Sequence, residues 1–267
     1  MKPGKYCYIE RSYLDCWCKV LIGVVLAAGR GLRLREDVDM EEIGPKTLLS
    51  IDGHTLLERM VADLANFDAK RVNVVVGHRA DLVQKECFSL ESRYGIKIRL
   101  LNNRDYASTN TACSLQLGIK DVKEDAVIFN GDVLYEYAIL CRLIDSSGTA
   151  ISIDNNKTLT GESFKLTIRD GRIERMGKDI PIEAASGEFI GLSKIIKEDL
   201  SDARAFLKEL IAEDRNSYYD HIYRSLSQKG GVAYSYTDGL RWTEIDDIDD
   251  LRYAESIASF CAREHMN

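Results

Sequence analysis

Residues 21–34 read LIGVVLAAGRGLRL, and Pro45-Lys46 opens the later stretch PKTLLSIDG. The unbroken apolar run from Leu21 to Ala28 has the composition of a strand buried on both faces, and Gly29 and Gly31 follow it at once. Glycines at the end of such a strand let backbone amides turn toward an anion with no Cβ in the way, which is how loops cradle phosphate. Arg33 and Lys46 bring two cations to the same loop. Two other glycine loops fail on detail. In a dinucleotide-binding G-x-G-x-x-G the third glycine would fall at Leu34, and the next strand, VNVVVG, ends without the acidic residue that holds a ribose. No G-x-x-x-x-G-K-[ST] exists in the chain.

Outward from this loop the pattern is regular. LLSIDGHTLLERMVADLANF moves to helical spacing after Gly53, and VNVVVG (Val72 to Gly77) is a second apolar strand. A polar helix-like stretch, IKIRLLNN, a helix around SLQLGI and the strand DAVIFNGD follow. Apolar strands separated by helices predict an α/β fold, a Rossmann-like, mostly parallel sheet with helices on both faces. The section at about 150–195 reads differently. Its alternating FKLTIRDGRIERMG and GEFIGLSKI, with an Asp170-Gly171 turn, predict a small antiparallel insertion serving as a lid. A charged helical stretch from Asp199 to Gln228 leads to WTEIDDIDDLRYAE, where a helix is expected to start near Asp247. With three prolines and no low-complexity run, residues 20–267 read as a single domain. Residues 1–19, rich in Tyr, Cys and Trp and without period, read as an N-terminal extension: a hairpin, a dimer contact or a loose arm. A homodimer is one assembly this allows.

The 267 residues, 45% of them hydrophobic, suffice for a large buried core. A net charge of -7 with both signs interspersed argues against a nucleic-acid partner. Seven scattered cysteines fit reduced thiols, and Cys16 and Cys18 lack the second pair or histidines of a zinc site. The run VLIGVVLAAG looks like a signal-peptide core, but Glu10 and Asp15 precede it, and cleavage after Ala28 would remove the glycine loop. No stretch is long enough to span a bilayer, and the reading is cytoplasmic.

The pattern L-A-A-G-x-G-x-R-L followed by P-K, present at residues 26–34 and 45–46, resembles the sugar-phosphate nucleotidyltransferase superfamily, the MobA-like NTP transferases. TNTACSL, FNGDVL, FKLTIRDGRIERMGKDI, GEFIGL and WTEIDDIDDLRYAE extend the likeness, in the same order, to the branch of choline-phosphate and inositol-1-phosphate cytidylyltransferases. It covers about Leu21 to Ala258. The resemblance implies a fold of the nucleotide-diphospho-sugar transferase type. It also implies transfer of CMP from CTP to a small phosphorylated alcohol such as phosphocholine or inositol-1-phosphate, with Mg2+ as cofactor and pyrophosphate as product. A sugar-1-phosphate uridylyl- or guanylyltransferase and a catalytically silent nucleotide-sensing subunit are the alternatives. Silence sits poorly with Arg33, Lys46 and Asp132 kept together.

Such a transfer needs no protein nucleophile; its difficulty is two anions approaching each other, so cations must converge. By resemblance, Leu26, Ala27, Ala28, Gly29 and Gly31 would hold base and triphosphate. Arg33 would neutralise the β- and γ-phosphates, and Lys46 would bridge toward the reacting phosphates. Thr109, Asn110 and Ser114 correspond to a segment near the nucleotide; a helix N-cap at Ser108 or Thr109 is the competing reading. Magnesium takes oxygen ligands, and Asp132, closing an apolar strand, is placed where open α/β sheets assemble ligand sites. Asp246 matches the late metal-site aspartate of the family, with Glu244, Asp247 and Asp249 as competing carboxylates. Lys165, also counted as catalytic, and Lys178 would face the acceptor phosphate, and Glu188 an acceptor hydroxyl or amine. A cationic headgroup would call for an aromatic cage, which Phe164, Tyr218, Tyr219 and Trp242 supply; a polyol would use Asp154, Glu188 and Asp220. The sequence contains both sets.

Overall fold

The computed structural model describes residues 20–31, 33–34, 38–39 and 43–262; the expected N-terminal extension, residues 1–19, and its cysteines lie outside the described residues. The chain runs through β1 (Leu21–Ala27), a 3-10 turn at Lys46–Leu48, the small pair β2 (Ser50–Ile51) and β3 (His54–Thr55), and α1 (Leu56–Asn66). Next come β4 (Arg71–Val76), α2 (Ala80–Tyr94), β5 (Lys97–Asn102), α3 (Thr111–Ile119), β6 (Asp125–Asn130), β7 (Val133–Tyr135) and α4 (Tyr137–Asp145). The second half adds β8 (Ala150–Asp154), β9 (Lys165–Arg169), β10 (Arg172–Gly177), β11 (Gly187–Ile195), α5 (Leu200–Glu213) and α6 (Ile222–Lys229). It closes with β12 (Ala233–Tyr236), β13 (Trp242–Glu244) and α7 (Ile248–Ile257).

Every residue of β1 is buried, because it is covered twice. Leu21, Val25 and Ala27 enter a core under α1, α2 and α4, while Ile22, Val24 and Leu26 enter another under α3, α5 and α6. That two-sided burial is the reason for the unbroken apolar run. β1 lies between β4 and β6, all parallel, with β5 outside β4. The expected mostly parallel sheet with helices on both faces is therefore present. Local chemistry sets the ends of several elements. Thr55 Oγ1 caps α1 by accepting from Glu58 N at 3.0 Å. Asp170 and Gly171, both at positive φ, form the tight turn between β9 and β10. Asp247 and Asp250 form a reciprocal cap that starts α7 where the acidic run predicts it.

The expected antiparallel section is present, and it joins the central sheet. β11 pairs antiparallel with β6, next to β1, and then with β8 and β9, so the strands of 150–195 continue the central sheet. The reason lies in β11 itself: Ile190 and Leu192 enter one core, Phe189 and Ile195 the other, and only an inner strand buries both faces. The Asp199–Gln228 stretch is likewise two helices, α5 and α6. Between them Asn110 N donates to Arg215 O (3.1 Å) and Tyr219 N to Thr111 Oγ1 (3.1 Å), tying the break to the start of α3. A third apolar cluster, including Leu34, Ile51, Leu134 and Ile245, packs α7 beside the β1 loop. Among the described residues Cys87 and Cys113 are free thiols, and no helix is long and apolar enough to cross a membrane.

Candidate active site

The carboxyl ends of β1 and β6 open into a cavity of about 280 Å³, with a smaller one of about 140 Å³ beside it. Leu26, Ala28, Gly29 and Arg33 line the larger, while Ala27, Gly31, Lys46 and Asp132 line the smaller together with Leu26 and Gly29. A Cβ on Gly29 would meet no atom within 4 Å, so the space beside it is open to a ligand. Gly31, at φ 59°, turns the loop where other residues are strained. Gly131 has a different task. Its amide donates to Leu26 O at 3.1 Å, and a Cβ there would lie 2.5 Å from that same oxygen. Only glycine lets the strand end come this close to β1 and carry Asp132 into the site.

Asp246 arrives from the other end of the sequence. β13 pairs antiparallel with β7, setting Glu244 opposite Val133, and Ile245 N donates to Asp132 O at 2.9 Å. Asp132, Glu244 and Asp246 then present carboxylate oxygens within 4.8 Å of one another. Two cations answer them. Lys46 Nζ lies 3.3 Å from Asp132 Oδ2 and bonds Asp246 Oδ1, and Arg33 Nη2 bonds the other Asp246 oxygen at 2.5 Å. Burial and the two neighbouring carboxylates push Glu244 well above the usual carboxylate range. Burial also raises Asp132, against the pull of Lys46. For Asp246 burial is outweighed by Lys46 and Arg33, which hold its carboxyl low. Desolvation of Lys46 is likewise outweighed by Asp132 and Asp246, so the ammonium stays charged above its ordinary range. An all-oxygen carboxylate set of this size suits a hard divalent cation.

The other expected residues divide. Thr109, Asn110 and Ser114 line the cavity, with Asn103 behind them: its Nδ2 donates to Thr109 Oγ1 and Ser114 Oγ, both at 3.2 Å. Lys178 lines it too and reaches Glu162 at 3.0 Å, a carboxylate that Arg33 also meets at 3.4 Å. Lys165 is not brought there. It is 1% exposed, and its ammonium donates to the backbone carbonyls of Thr160, Gly161 and Ser163, holding the loop before β9. The four-ring cage does not assemble either. Phe164 and Tyr218 line the cavity, but Trp242 is buried with its Nε1 on Asp154 Oδ2 at 2.5 Å, which takes Asp154 from the polyol set as well. Tyr219 is core, its hydroxyl donating to Asn130 Oδ1 at 3.2 Å. Glu188 is buried outside the cavity lining, with Oε2 unpartnered. Asn103, Asn130, Glu162 and Phe189 join the lining without having been singled out by the sequence; Asn130 stands two residues before Asp132, the one local signal among them.

Comparison with known proteins follows the same lines. Residues 23–158 match the MobA-like NTP transferase domain. The chain is 29% identical over 237 residues to the bifunctional IPC transferase and DIPP synthase of Rubrobacter xylanophilus, across 87% of this chain and 51% of that protein. It is 28% identical over 253 residues to the CMP-5'-(3-aminopropyl)phosphonate synthase of Streptomyces rubellomurinus, across 87% of this chain and 38% of that protein. The chain thus spans about half, or less, of the length of the curated relatives it matches. Among solved structures, the inositol-1-phosphate CTP transferase from T. maritima superposes with a TM-score of 0.72 at 22% identity, over 91% of this chain and 96% of that one. The CTP:phosphocholine cytidylyltransferase from Streptococcus pneumoniae gives 0.71 at 21%, over 90% and 99%. At those identities the superpositions establish a shared nucleotidyltransferase fold. The family match spans just over half of the chain and contains the glycine loop, Lys46 and the strand that leads to Asp132, and on it the chain belongs to the family of MobA-like NTP transferase domains.

Proposed function

We propose that this chain moves CMP from CTP onto a small phosphorylated or phosphonate acceptor and releases pyrophosphate. One arrangement carries the reading: the glycine loop, Arg33, Lys46 and three carboxylates meet in adjoining cavities at the carboxyl ends of β1 and β6. An acceptor oxygen attacks the α-phosphorus in line, the bond to the bridging oxygen breaks, and its electron pair leaves with pyrophosphate. Catalysis is then positioning and charge stabilisation. Arg33 and Lys46 exchange carboxylate partners for phosphate oxygens as the triphosphate enters, while the amides of the glycine loop face the same anion. Asn103, Thr109, Asn110 and Ser114 supply hydrogen bonds to base or ribose. Lys178 faces the acceptor phosphate. Asp132 and Asp246, with Glu244 beside them, would hold a divalent ion, magnesium in this reading; when bound it neutralises phosphate charge.

The base is assigned from the relatives. The Streptomyces protein is named for a CMP product and both structural neighbours for CTP, while the acceptors in those names range from inositol phosphate and phosphocholine to an aminoalkylphosphonate. Pyrophosphate release across four nucleoside triphosphates and a set of small phosphate and phosphonate acceptors tests it. CTP with magnesium should be the productive pair, and Asp132→Ala should lower turnover by a factor on the order of 100–1,000 with the fold retained. Release with another triphosphate in preference, or full activity in Asp132→Ala, overturns the assignment it bears on.

A further inference from the structure

Glu162 lines the larger cavity, and its Oε2 meets two of the cavity's cations, Lys178 Nζ at 3.0 Å and Arg33 Nη1 at 3.4 Å. Lys178 first, and then Arg33, holds the carboxyl below its ordinary range, so it is an anion at neutral pH. These are the two cations that the reading above gives to the triphosphate and to the acceptor phosphate. One oxygen of the protein therefore stands where the phosphates of both substrates have to come.

The loop between β8 and β9 is built to keep it there. Asp154 Oδ1 fastens the start of the loop by accepting from Asn156 N at 2.8 Å and Lys157 N at 3.1 Å, and Phe189 N fastens its end by donating to Phe164 O at 2.9 Å. Between them, Thr160 N donates to Ser163 Oγ at 3.1 Å, and the buried Lys165 ammonium gathers the carbonyls of Thr160, Gly161 and Ser163. Glu162 sits inside that turn, its own amide donating to Thr160 Oγ1 at 3.3 Å. The backbone is thus fixed at the cavity's edge, while the Glu162 side chain is exposed and able to swing.

From this arrangement we infer that Glu162 is an internal competitor of the anionic substrates: it occupies Arg33 and Lys178 between turnovers, is displaced as phosphate enters, and returns as the anionic products leave. The inference rests on the nucleotidyltransferase reading and adds a control to the same site. A phosphate oxygen and Oε2 compete for the same donors, so an anion binds only to the fraction of molecules in which Glu162 has swung away, and its apparent affinity falls by that fraction. Exposed ion pairs are individually weak. Two of them together should lower the affinity for an anion by about three- to tenfold, enough to matter and too little to exclude a triphosphate.

The experiment measures Kd by calorimetry for CTP and for pyrophosphate, each with magnesium and without acceptor, on the wild type, Glu162→Gln and Glu174→Gln. Glu174, on β10, is an exposed carboxylate that pairs with Arg169 at 3.0 Å and lies outside the cavity lining, so its variant controls for the loss of one negative charge. Glu162→Gln should bind both ligands about three- to tenfold more tightly, and Glu174→Gln should match the wild type. Unchanged or weaker binding of either ligand by Glu162→Gln, or equal tightening in Glu174→Gln, overturns this inference and leaves the nucleotidyltransferase reading standing. Absence of CTP binding in all three proteins overturns that reading instead, and pyrophosphate then decides the inference alone: without tighter binding in Glu162→Gln it falls as well.

Discussion

Replacing Lys46 by methionine keeps the side chain's reach and removes its charge from among three carboxylates. At 3.3 Å and an effective dielectric of about 20, the attraction to Asp132 alone is about 5 kcal/mol. The loss cannot grow that large, because a carboxylate deprived of its cation takes up a proton instead. For a carboxyl with an unfolded pKa of about 3.9, that uptake costs about 4 kcal/mol at pH 7 and about 1 kcal/mol at pH 4.5. In the wild type, Asp246 is held low by its cations once burial is overcome, so its stabilisation is present above the unfolded value and is lost as pH falls through the folded one. In Lys46→Met the freed carboxyl lies above its unfolded value, the native state holds the proton more tightly, and stability falls as pH rises from about 4. The stability difference between the proteins should therefore widen from about 1 kcal/mol at pH 4.5 to about 3–4 kcal/mol at pH 7, within the ceiling set by proton uptake. Urea unfolding at the two pH values, followed by tryptophan fluorescence, measures it, and millimolar manganese should recover part of the loss at pH 7 by occupying the same carboxylates. Equal destabilisation at both pH values refutes the reasoning, since it would mean that Lys46 contributes packing and not charge.

Three further outcomes follow from the geometry. Asn103→Ala leaves Thr109 Oγ1 and Ser114 Oγ without their donor, a cost of about 1–3 kcal/mol, and steady-state kinetics should show the KM for CTP raised about tenfold with the acceptor KM unchanged. Gly131→Ala drives a Cβ to 2.5 Å from the Leu26 carbonyl, so thermal unfolding should register a loss of about 1–3 kcal/mol and kcat should fall as Asp132 is displaced. Burial pushes Asp220 up to about 7; because the native state then holds the proton more tightly than the unfolded chain, stability should decline between about pH 4 and 7. Asp220→Asn should flatten that decline in urea titrations.

The side of the candidate site built on the glycine loop was legible because its determinants are local. Strand, glycines, Arg33 and Lys46 lie close together along the chain, and Asp132 follows directly from the strand that ends beside β1. The opposite side of the cavity was not. Alternation in the 150–195 section distinguishes the faces of a strand, but it does not say what waits on each face. Lys165 finds three backbone carbonyls, and Trp242 finds Asp154. Both spend their polar atoms within the fold.

By itself the sequence determined a two-sided parallel core and a glycine loop flanked by cations, since burial periodicity and loop chemistry act over a few neighbouring residues. Tertiary structure alone decided which distant groups share the cavity. The β13–β7 pairing sets Glu244 and Asp246 against Asp132, and the turn before α6 sets Asp220 among Phe164, Tyr218 and Phe189. The physical reason is competition: a polar side chain serves a ligand only where no nearer partner satisfies it, and long-range pairing chooses those partners.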